Sequence, residues 1–154
     1  MRPALIEVEV DIRCSPEAVF DYCSDLSHEP EWNPMMKRSE RVTDGTIGVG
    51  SRYATEFNKG PHMVIEYTVY ERPARWASVG DSAALKASGS GRVVPIRDGT
   101  NLIMRMELEP HGLLKLATPF LRRRLQSMYE RDVNNIKARL EGGGTWPGCW
   151  HNEL

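Results

Sequence analysis

The chain lacks any long apolar run and any strong charge of one sign. Its 154 residues include 20 basic and 21 acidic side chains, so the net charge is −1 and no bulk field attracts nucleic acid. No stretch approaches the roughly 20 apolar residues that span a bilayer. The N-terminus MRPALIEVEVDIRC alternates charged and apolar residues, unlike a signal peptide. We therefore expect neither a nucleic-acid partner nor membrane insertion.

Cysteine is scarce as well, with Cys14, Cys23 and Cys149 far apart and odd in number. This count argues against a disulfide framework and predicts a reducing, cytoplasmic location. None of the three lies in a metal-ligand spacing, and HExxH and Ser/His/Asp patterns are absent. Gly89-Ser90-Gly91 lies inside a strand pattern and does not open a phosphate-binding helix. We predict no metal and no cofactor.

The chain is long enough for one domain that buries about two-thirds of its unfolded surface. We predict a single domain over residues 1–141 and a C-terminal tail over residues 142–154. The tail begins with three glycines and contains Trp146, Cys149, Trp150 and His151. It is either mobile or docked on its own or another subunit, so a homodimer stays open.

Alternation of apolar and polar residues predicts strands over most of the chain before Pro110. The clearest run is Ile6–Cys14, followed by Ser15-Pro16-Glu17, which predicts a helix over Pro16–Ser24. The segment Asp25–Pro34 is predicted to be a loop with one helical turn. Six further strands are predicted at Lys37–Thr43, Ser51–Asn58, His62–Glu71, Trp76–Gly80, Leu85–Ile96 and Asn101–Glu109.

The last regular segment predicts a long amphipathic helix over His111–Glu141. An apolar stripe recurs every three or four residues, at Ala117, Leu121, Leu125, Tyr129, Val133, Ile136 and Leu140. Leu113, Leu114, Phe120 and Met128 widen it in the first half. Pro119 either opens this helix with Thr118 as its cap or kinks a helix that starts near Gly112. Short linkers between strands favour antiparallel pairs, so we predict an α+β fold in which one curved sheet of about seven strands wraps around this helix.

This order of elements resembles the START-like (SRPBCC) superfamily, and locally its polyketide cyclase/dehydrase and lipid-transport group. The resemblance rests on Ser15–Phe20 after the first strand, Trp32-Asn33-Pro34, Asp44-Gly45 with Gly48–Tyr53, and Gly99-Thr100. It continues through Gly112-Leu113-Leu114, Pro119 and Arg122-Arg123-Arg124, so it covers roughly residues 4–141. It implies a helix-grip fold, with two short helices after strand 1. It also implies a hydrophobic cavity that holds a lipid, a polyketide or another apolar metabolite. It implies no particular reaction.

Strand parity indicates which side chains face the cavity. Tyr53 with Phe57, Ile65 with Tyr67 and Val69, and Trp76 with Ser78 share the inner face. Tyr53 and Tyr67 are the candidate catalytic residues, because their hydroxyls could donate to a carbonyl or enolate oxygen; the alternative is that they only pack. The predicted ligand-binding residues are Trp32, Asn33, Phe57, Ile65, Trp76, Ser78, Met104, Met106, Leu121, Leu125 and Met128.

Several polar residues are open to two interpretations. Asn33 caps a turn or binds ligand, and Gly89 and Gly91 mark a bulge, curvature or a ligand close to the backbone. Asp132 falls near the helix stripe, where a salt-bridged rim with Arg124 and Arg139 is favoured over a buried acid. The first functional hypothesis is cyclisation or dehydration of a carbonyl-bearing metabolite. The alternatives are a non-catalytic lipid carrier or sensor and a protein-interaction module.

Overall fold

The computed structural model describes residues 4–60, 62–142 and 146–150. The strands within these residues are β1 (Ala4–Ile12), β2 (Met36–Arg41), β3 (Arg52–Phe57), β4 (His62–Glu71), β5 (Arg75–Asp81), β6 (Leu85–Ile96) and β7 (Gly99–Pro110). The helices are α1 (Pro16–Ser24), α2 (Glu29–Trp32) and α3 (Thr118–Gly142), with 3-10 helices at Leu26–His28 and Gly112–Ala117. The predicted strands and the two short helices after β1 are confirmed.

All seven strands form one antiparallel sheet in the order β1-β7-β6-β5-β4-β3-β2. Six of them follow one another through short turns, which is why neighbours in sequence are neighbours in space. The sheet curls into a half-barrel, and α3 crosses it and packs on β1. The predicted helix-grip fold is therefore confirmed.

Local sequence explains where α1 begins. The Ser15 side chain caps the helix by accepting a hydrogen bond from the Ala18 amide at 3.2 Å, and Pro16 occupies the first turn. Val19, Phe20 and Cys23 then lie buried against the sheet, as the spacing predicts. The helix thereby packs against β6 and β7.

The terminal helix is buried along only part of its predicted stripe. Val133, Ile136 and Leu140 are buried in its second half. In the first half, Leu113 and Phe120 are largely exposed, so these two members of the expected wide apolar arc do not pack against the sheet, whereas Met128 is partly buried. The choice left open at Pro119 is settled by a 3-10 helix over Gly112–Ala117 that leads directly into α3 at Thr118. The Thr118 hydroxyl donates back to the Lys115 carbonyl at 2.9 Å, so Thr118 is not a helix N-cap.

The expectation that the cysteines form no disulfide is wrong, because Cys14 and Cys149 are bonded across 135 positions of sequence. The Ser15 amide donates to the Gly148 carbonyl at 2.8 Å, and the Trp150 amide donates to the Arg13 carbonyl at 2.8 Å. The tail residues 146–150 are therefore docked on their own chain and are not mobile. Gly143, Gly144 and His151 of the predicted tail lie outside the described residues. The cysteine count consequently gives no support for a reducing compartment.

In β4, the residues that face the inside of the sheet change at a β-bulge. The register of β4 against β5 shifts between Tyr67 and Val69, which turns the next residues over. Tyr70 instead of Val69 packs against the core, with its ring centroid 5.2 Å from that of Phe20. Side-chain parity cannot predict this change, because the sequence does not show where a bulge interrupts the alternation of inner and outer residues.

Candidate functional site

A cavity of about 260 Å³ lies between the inner face of the sheet and α3. Its wall is mostly apolar and includes residues from α1, α2, the six strands β2 to β7 and α3. The lining residues are Cys23, Leu26, Glu29, Trp32, Asn33, Met35, Met36, Phe57, Lys59, Gly60, Met63, Ile65, Trp76, Ser78, Leu85, Ala87, Gly89, Ser90, Met104, Arg105, Met106, Leu108, Leu125, Met128, Tyr129 and Asp132. The space is slightly smaller than the roughly 300–1,000 Å³ of sites for drug-sized ligands.

Most of the side chains predicted to bind ligand lie in this wall. Ten of the eleven line the cavity: Trp32, Asn33, Phe57, Ile65, Trp76, Ser78, Met104, Met106, Leu125 and Met128. Leu121, one turn before Leu125, is not among the lining residues. The strand residues among these ten are on the face that parity assigns to the inside, and inner residues of a curled sheet converge on its concave side. Ligand binding by the ten stays a prediction.

The two tyrosines predicted to be catalytic are not among the lining residues. Both are buried, and Tyr53 donates to Asp25 Oδ1 at 3.2 Å while Tyr67 donates to the Ser24 carbonyl. Burial raises the pKa of both hydroxyls well above the usual range. The placement favours the packing interpretation, in which each hydroxyl holds the segment after α1 against the sheet.

Asp132 is a buried acid whose ion pair is with Arg131, and the favoured exposed rim with Arg124 and Arg139 is wrong, since Arg139 pairs with Glu31. Asp132 is 2% exposed and lines the cavity. Arg131 Nη2 lies 3.6 Å from Asp132 Oδ1, beyond hydrogen-bond distance, and Oδ1 has no hydrogen-bond partner among the described residues. Burial raises the pKa of Asp132 to about 6, with Arg131 opposing the shift.

Glu29 is a second acid in the cavity wall, and sequence reasoning missed it. It lies in α2, within the segment predicted to be a loop. Burial raises the pKa of Glu29 to about 7; a hydrogen bond from Asn33 lowers it, and the Asp132 carboxylate raises it further. Asn33 Nδ2 donates to Glu29 Oε1 at 3.1 Å, while Asn33 Oδ1 accepts from the Met35 amide at 3.1 Å. Asn33 thus caps a turn and also orients an acid.

Two other polar groups in the wall are distinctive. The Trp32 indole Nε1 is buried without a hydrogen-bond partner in the described part of the chain, which is costly in the absence of a ligand oxygen or water. Cys23 lines the cavity, but burial raises the pKa of its thiol well above the usual range. It therefore stays a neutral thiol and is a poor nucleophile.

The two glycines of β6 that the sequence singles out differ in how much space surrounds them. A Cβ at Gly91 would overlap the indole ring of Trp76, whereas a Cβ at Gly89 would lie 3.4 Å from Met106 Cε. Gly91 is therefore required by the close approach of Trp76, and Gly89 lines the cavity. The register of β6 with both neighbours is continuous here, so the alternative of a bulge is wrong.

The wall combines apolar surface with two acids that titrate near neutral pH. A protonated carboxyl can donate a hydrogen bond to a ligand oxygen, and an ionised one can accept a proton. Among residues 4–60, 62–142 and 146–150, no group of three His, Cys, Asp or Glu side chains is arranged to hold a metal ion. In the same residues, no helix is both long and apolar enough to cross a membrane.

Comparisons with known proteins agree with this architecture. The family model for polyketide cyclase/dehydrase and lipid transport matches residues 3–141. No curated protein sequence matches the chain significantly.

Three solved structures illustrate the likeness of fold. A START superfamily protein from Mycobacterium smegmatis is 16% identical, with 88% of this chain and 95% of that one covered and a TM-score of 0.74. The protein TTHA0849 from Thermus thermophilus is 16% identical, with 92% and 99% covered and a TM-score of 0.76. The di-domain ARO/CYC StfQ from the steffimycin biosynthetic pathway is 16% identical, with 89% and 50% covered and a TM-score of 0.71. This chain therefore corresponds to half of StfQ.

Proposed function

Because the chain belongs to the polyketide cyclase/dehydrase and lipid transport family, we propose that its cavity binds a small hydrophobic metabolite with at least one carbonyl or hydroxyl oxygen. A polyketide-like or lipid-like molecule of modest size fits the apolar wall. The observation that supports an oxygen-bearing ligand is the pair Glu29 and Asp132 inside that wall. A cavity made only for hydrocarbon would bury two acids at a cost and gain nothing from them.

The acids act as hydrogen-bond donors when they are protonated. With a pKa raised to about 7 by burial, Glu29 is partly protonated at neutral pH and can donate to a carbonyl oxygen. The unpartnered Trp32 indole N–H, in the same wall, is a second donor for such an oxygen. The methionines Met104, Met106 and Met128 adapt to the ligand's apolar body, since their side chains are unbranched and flexible.

Binding of a medium-chain methyl ketone and of its matching alkane tests this proposal, with tryptophan fluorescence as the readout because Trp32 and Trp76 line the cavity. We expect both to bind, and the ketone affinity to fall about three- to tenfold as Glu29 loses its proton above about pH 7. The alkane affinity should not depend on pH. Glu29→Gln retains a donor, so it should remove the pH dependence and keep ketone binding.

A cavity-filling variant tests whether the ligand binds inside the cavity. Ala87→Phe places a ring in the cavity and should abolish binding of both molecules. Val64→Phe adds the same ring on the outer face, where the side chain is 51% exposed, and should bind as the unmodified protein does. Equal binding in the two variants would contradict the proposed site, provided that both have native melting curves.

A second candidate function is cyclisation or dehydration of the bound metabolite. It is favoured by two acids in one wall, whose pKa values are both raised toward neutral by burial. In a dehydration, ionised Asp132 accepts the proton α to the carbonyl, and protonated Glu29 gives its proton to the departing hydroxyl. One water leaves, and the proton on Asp132 restores Glu29. Tyr53 and Tyr67, predicted to be catalytic, would then only support the segment after α1.

Substitution of each acid in turn separates a catalyst from a carrier. With a β-hydroxy ketone as substrate, we expect Asp132→Asn to lower the dehydration rate at least about 100-fold while ketone binding persists. Tyr67→Phe is the comparison, with little change expected. Ketone binding without any turnover by the unmodified protein would leave the non-catalytic carrier or sensor as the function.

A further inference from the structure

The segment before the long helix is an exposed apolar surface that the cavity does not use. Leu113 is 85% exposed, Leu116 is 70% exposed and Phe120 is 84% exposed. Their spacing of three and four residues places them on one face of the 3-10 helix and the start of α3. Large side chains exposed together in this way mark an interaction surface.

Within its own sequence segment this apolar face is accompanied by positive charge only, while the acid Asp81 lies on the neighbouring turn. Lys115, Arg122, Arg123 and Arg124 are exposed, and residues 110–129 contain no aspartate or glutamate. None of the four cationic side chains forms an ion pair with a described residue. The segment has a charge of +4 in a chain whose net charge is −1. Its charge is thus local and opposite in sign to the rest of the molecule.

The same surface lies at one end of the sheet, beside residues that line the cavity, and we call this end the cavity mouth. In the antiparallel sheet, the turn between β3 and β4, the turn between β5 and β6 and the end of β7 all lie at one end. His111 ties the segment to that end, because its amide donates to the Ala84 carbonyl at 2.8 Å and its Nε2 lies 3.0 Å from Asp81 Oδ1. Leu85 follows that turn and Leu125 follows Arg124, and both line the cavity.

We propose that residues Leu113–Arg124 form a docking surface for a bilayer that contains anionic lipid. Leu113, Leu116 and Phe120 enter the boundary between headgroups and acyl chains, while the basic side chains contact phosphate groups at the same depth. The proposed contact is peripheral, because no helix among the described residues could cross the bilayer. This inference rests on the proposed function in one respect: docking brings the cavity mouth to the lipid phase, from which a hydrophobic ligand enters.

Charge complementarity favours an anionic bilayer over a second copy of the chain. An apolar face that joined two copies would place two sets of four cations against each other, and each like-charge contact opposes association. A bilayer with anionic headgroups instead pairs each cation, and each lysine or arginine near such a surface strengthens binding about fivefold.

Co-sedimentation with vesicles tests the proposal. We expect the protein to bind vesicles of phosphatidylcholine with phosphatidylglycerol, to bind phosphatidylcholine alone much more weakly, and to dissociate as salt is raised. Replacing Arg122, Arg123 and Arg124 together by Gln should weaken binding on the order of 100-fold. Leu113→Ser with Phe120→Ser should weaken it at least about tenfold. Because all five side chains are exposed, folding should be unaffected.

Matched controls distinguish this surface from general stickiness and from the cavity. Val42→Ser with Val49→Ser removes exposed apolar side chains, 58% and 70% exposed, at the opposite end of the sheet and should not change vesicle binding. Ala87→Phe blocks the cavity and should also leave it unchanged, so failure of the proposed ligand would not affect this result. Absence of vesicle binding, or equal binding by the Leu113/Phe120 variant, would overturn the proposal. The proposal would also be overturned if the unmodified protein were a dimer that did not bind vesicles and the Leu113/Phe120 variant were a monomer.

Discussion

At the scale of single residues, the two acids in the cavity make stability depend on pH. An acid whose pKa is higher in the folded than in the unfolded chain binds a proton more tightly when folded. Its contribution therefore favours folding in acid and is lost as pH rises toward the folded pKa. For Asp132, with a folded pKa near 6 and an ordinary value of 3.8, the loss falls mostly between these two values.

We expect Asp132→Asn to gain stability relative to the unmodified protein as pH rises from about 4 to about 7. The gain has an upper limit of about 3 kcal/mol, since one pKa unit corresponds to about 1.4 kcal/mol. Urea unfolding at several pH values measures it. Arg131→Gln is the counterpart, because it removes the cation that lowers the Asp132 pKa and should increase the loss. A variant no more stable at pH 7 than at pH 4, relative to the unmodified protein, would contradict a buried acid.

The two glycines of β6 give a second prediction at this scale. Gly91→Ala should lower the free energy of unfolding by about 1–3 kcal/mol, because the new methyl group overlaps the Trp76 ring. Gly89→Ala is the matched control, since its Cβ meets Met106 at an ordinary 3.4 Å, and its stability should be unchanged or slightly higher. Equal destabilisation in both variants would mean that strand curvature, and not the Trp76 contact, requires glycine.

At the scale of elements, the docked tail covers the junction of β1 and α1. Trp146 donates from Nε1 to the Ala18 carbonyl at 3.2 Å, and its ring centroid lies 5.2 Å from that of Tyr22. We expect Cys149→Ser to lower the free energy of unfolding by about 2–5 kcal/mol. Thermal unfolding with and without a thiol reductant measures this loss.

The reductant also provides the control for that prediction. It should lower the melting temperature of the unmodified protein to about that of Cys149→Ser and leave the variant unchanged. A response of the variant itself would indicate that reduction acts elsewhere. Cys23 is buried and free, and its raised thiol pKa makes it unreactive.

The strands and the long helix were predictable because each buries one face, so that its apolar residues recur with a fixed period. The disulfide was not, since the pairing of Cys14 with Cys149 depends on how the tail returns to the sheet. Tyr53 and Tyr67 face inward as predicted, but parity does not say that Ser24 and Asp25 cover them. Asp132 was visible from the helix period, because it lies three residues after Tyr129 and four before Ile136, but the period does not say whether a residue at the edge of the stripe is buried. Glu29 gave no signal, since α2 is a single turn without periodicity.

At the scale of the whole molecule, the sheet and α3 pack around a space instead of filling it. A ligand that occupies the cavity of the folded chain, and has no site on the unfolded chain, stabilises the protein by mass action. A ketone at about 100 times its dissociation constant should add about 2.7 kcal/mol, which corresponds to roughly 5–11 °C in melting temperature for a chain of this size.

Differential scanning fluorimetry at increasing ketone concentration measures this shift. Ala87→Phe, which fills the space with its own side chain, should show no ketone-dependent shift. Val64→Phe should show the full one. A shift of equal size in both would place the ketone outside the cavity.

The sulfur bridge between Cys14 and Cys149 turns most of the polypeptide into a covalent ring. A protease that cuts once within that ring, for example after exposed Lys59 in the turn between β3 and β4, leaves two pieces that still travel together on a denaturing gel. They separate only after reduction. Limited trypsinolysis would therefore show one band without a thiol and two bands with it.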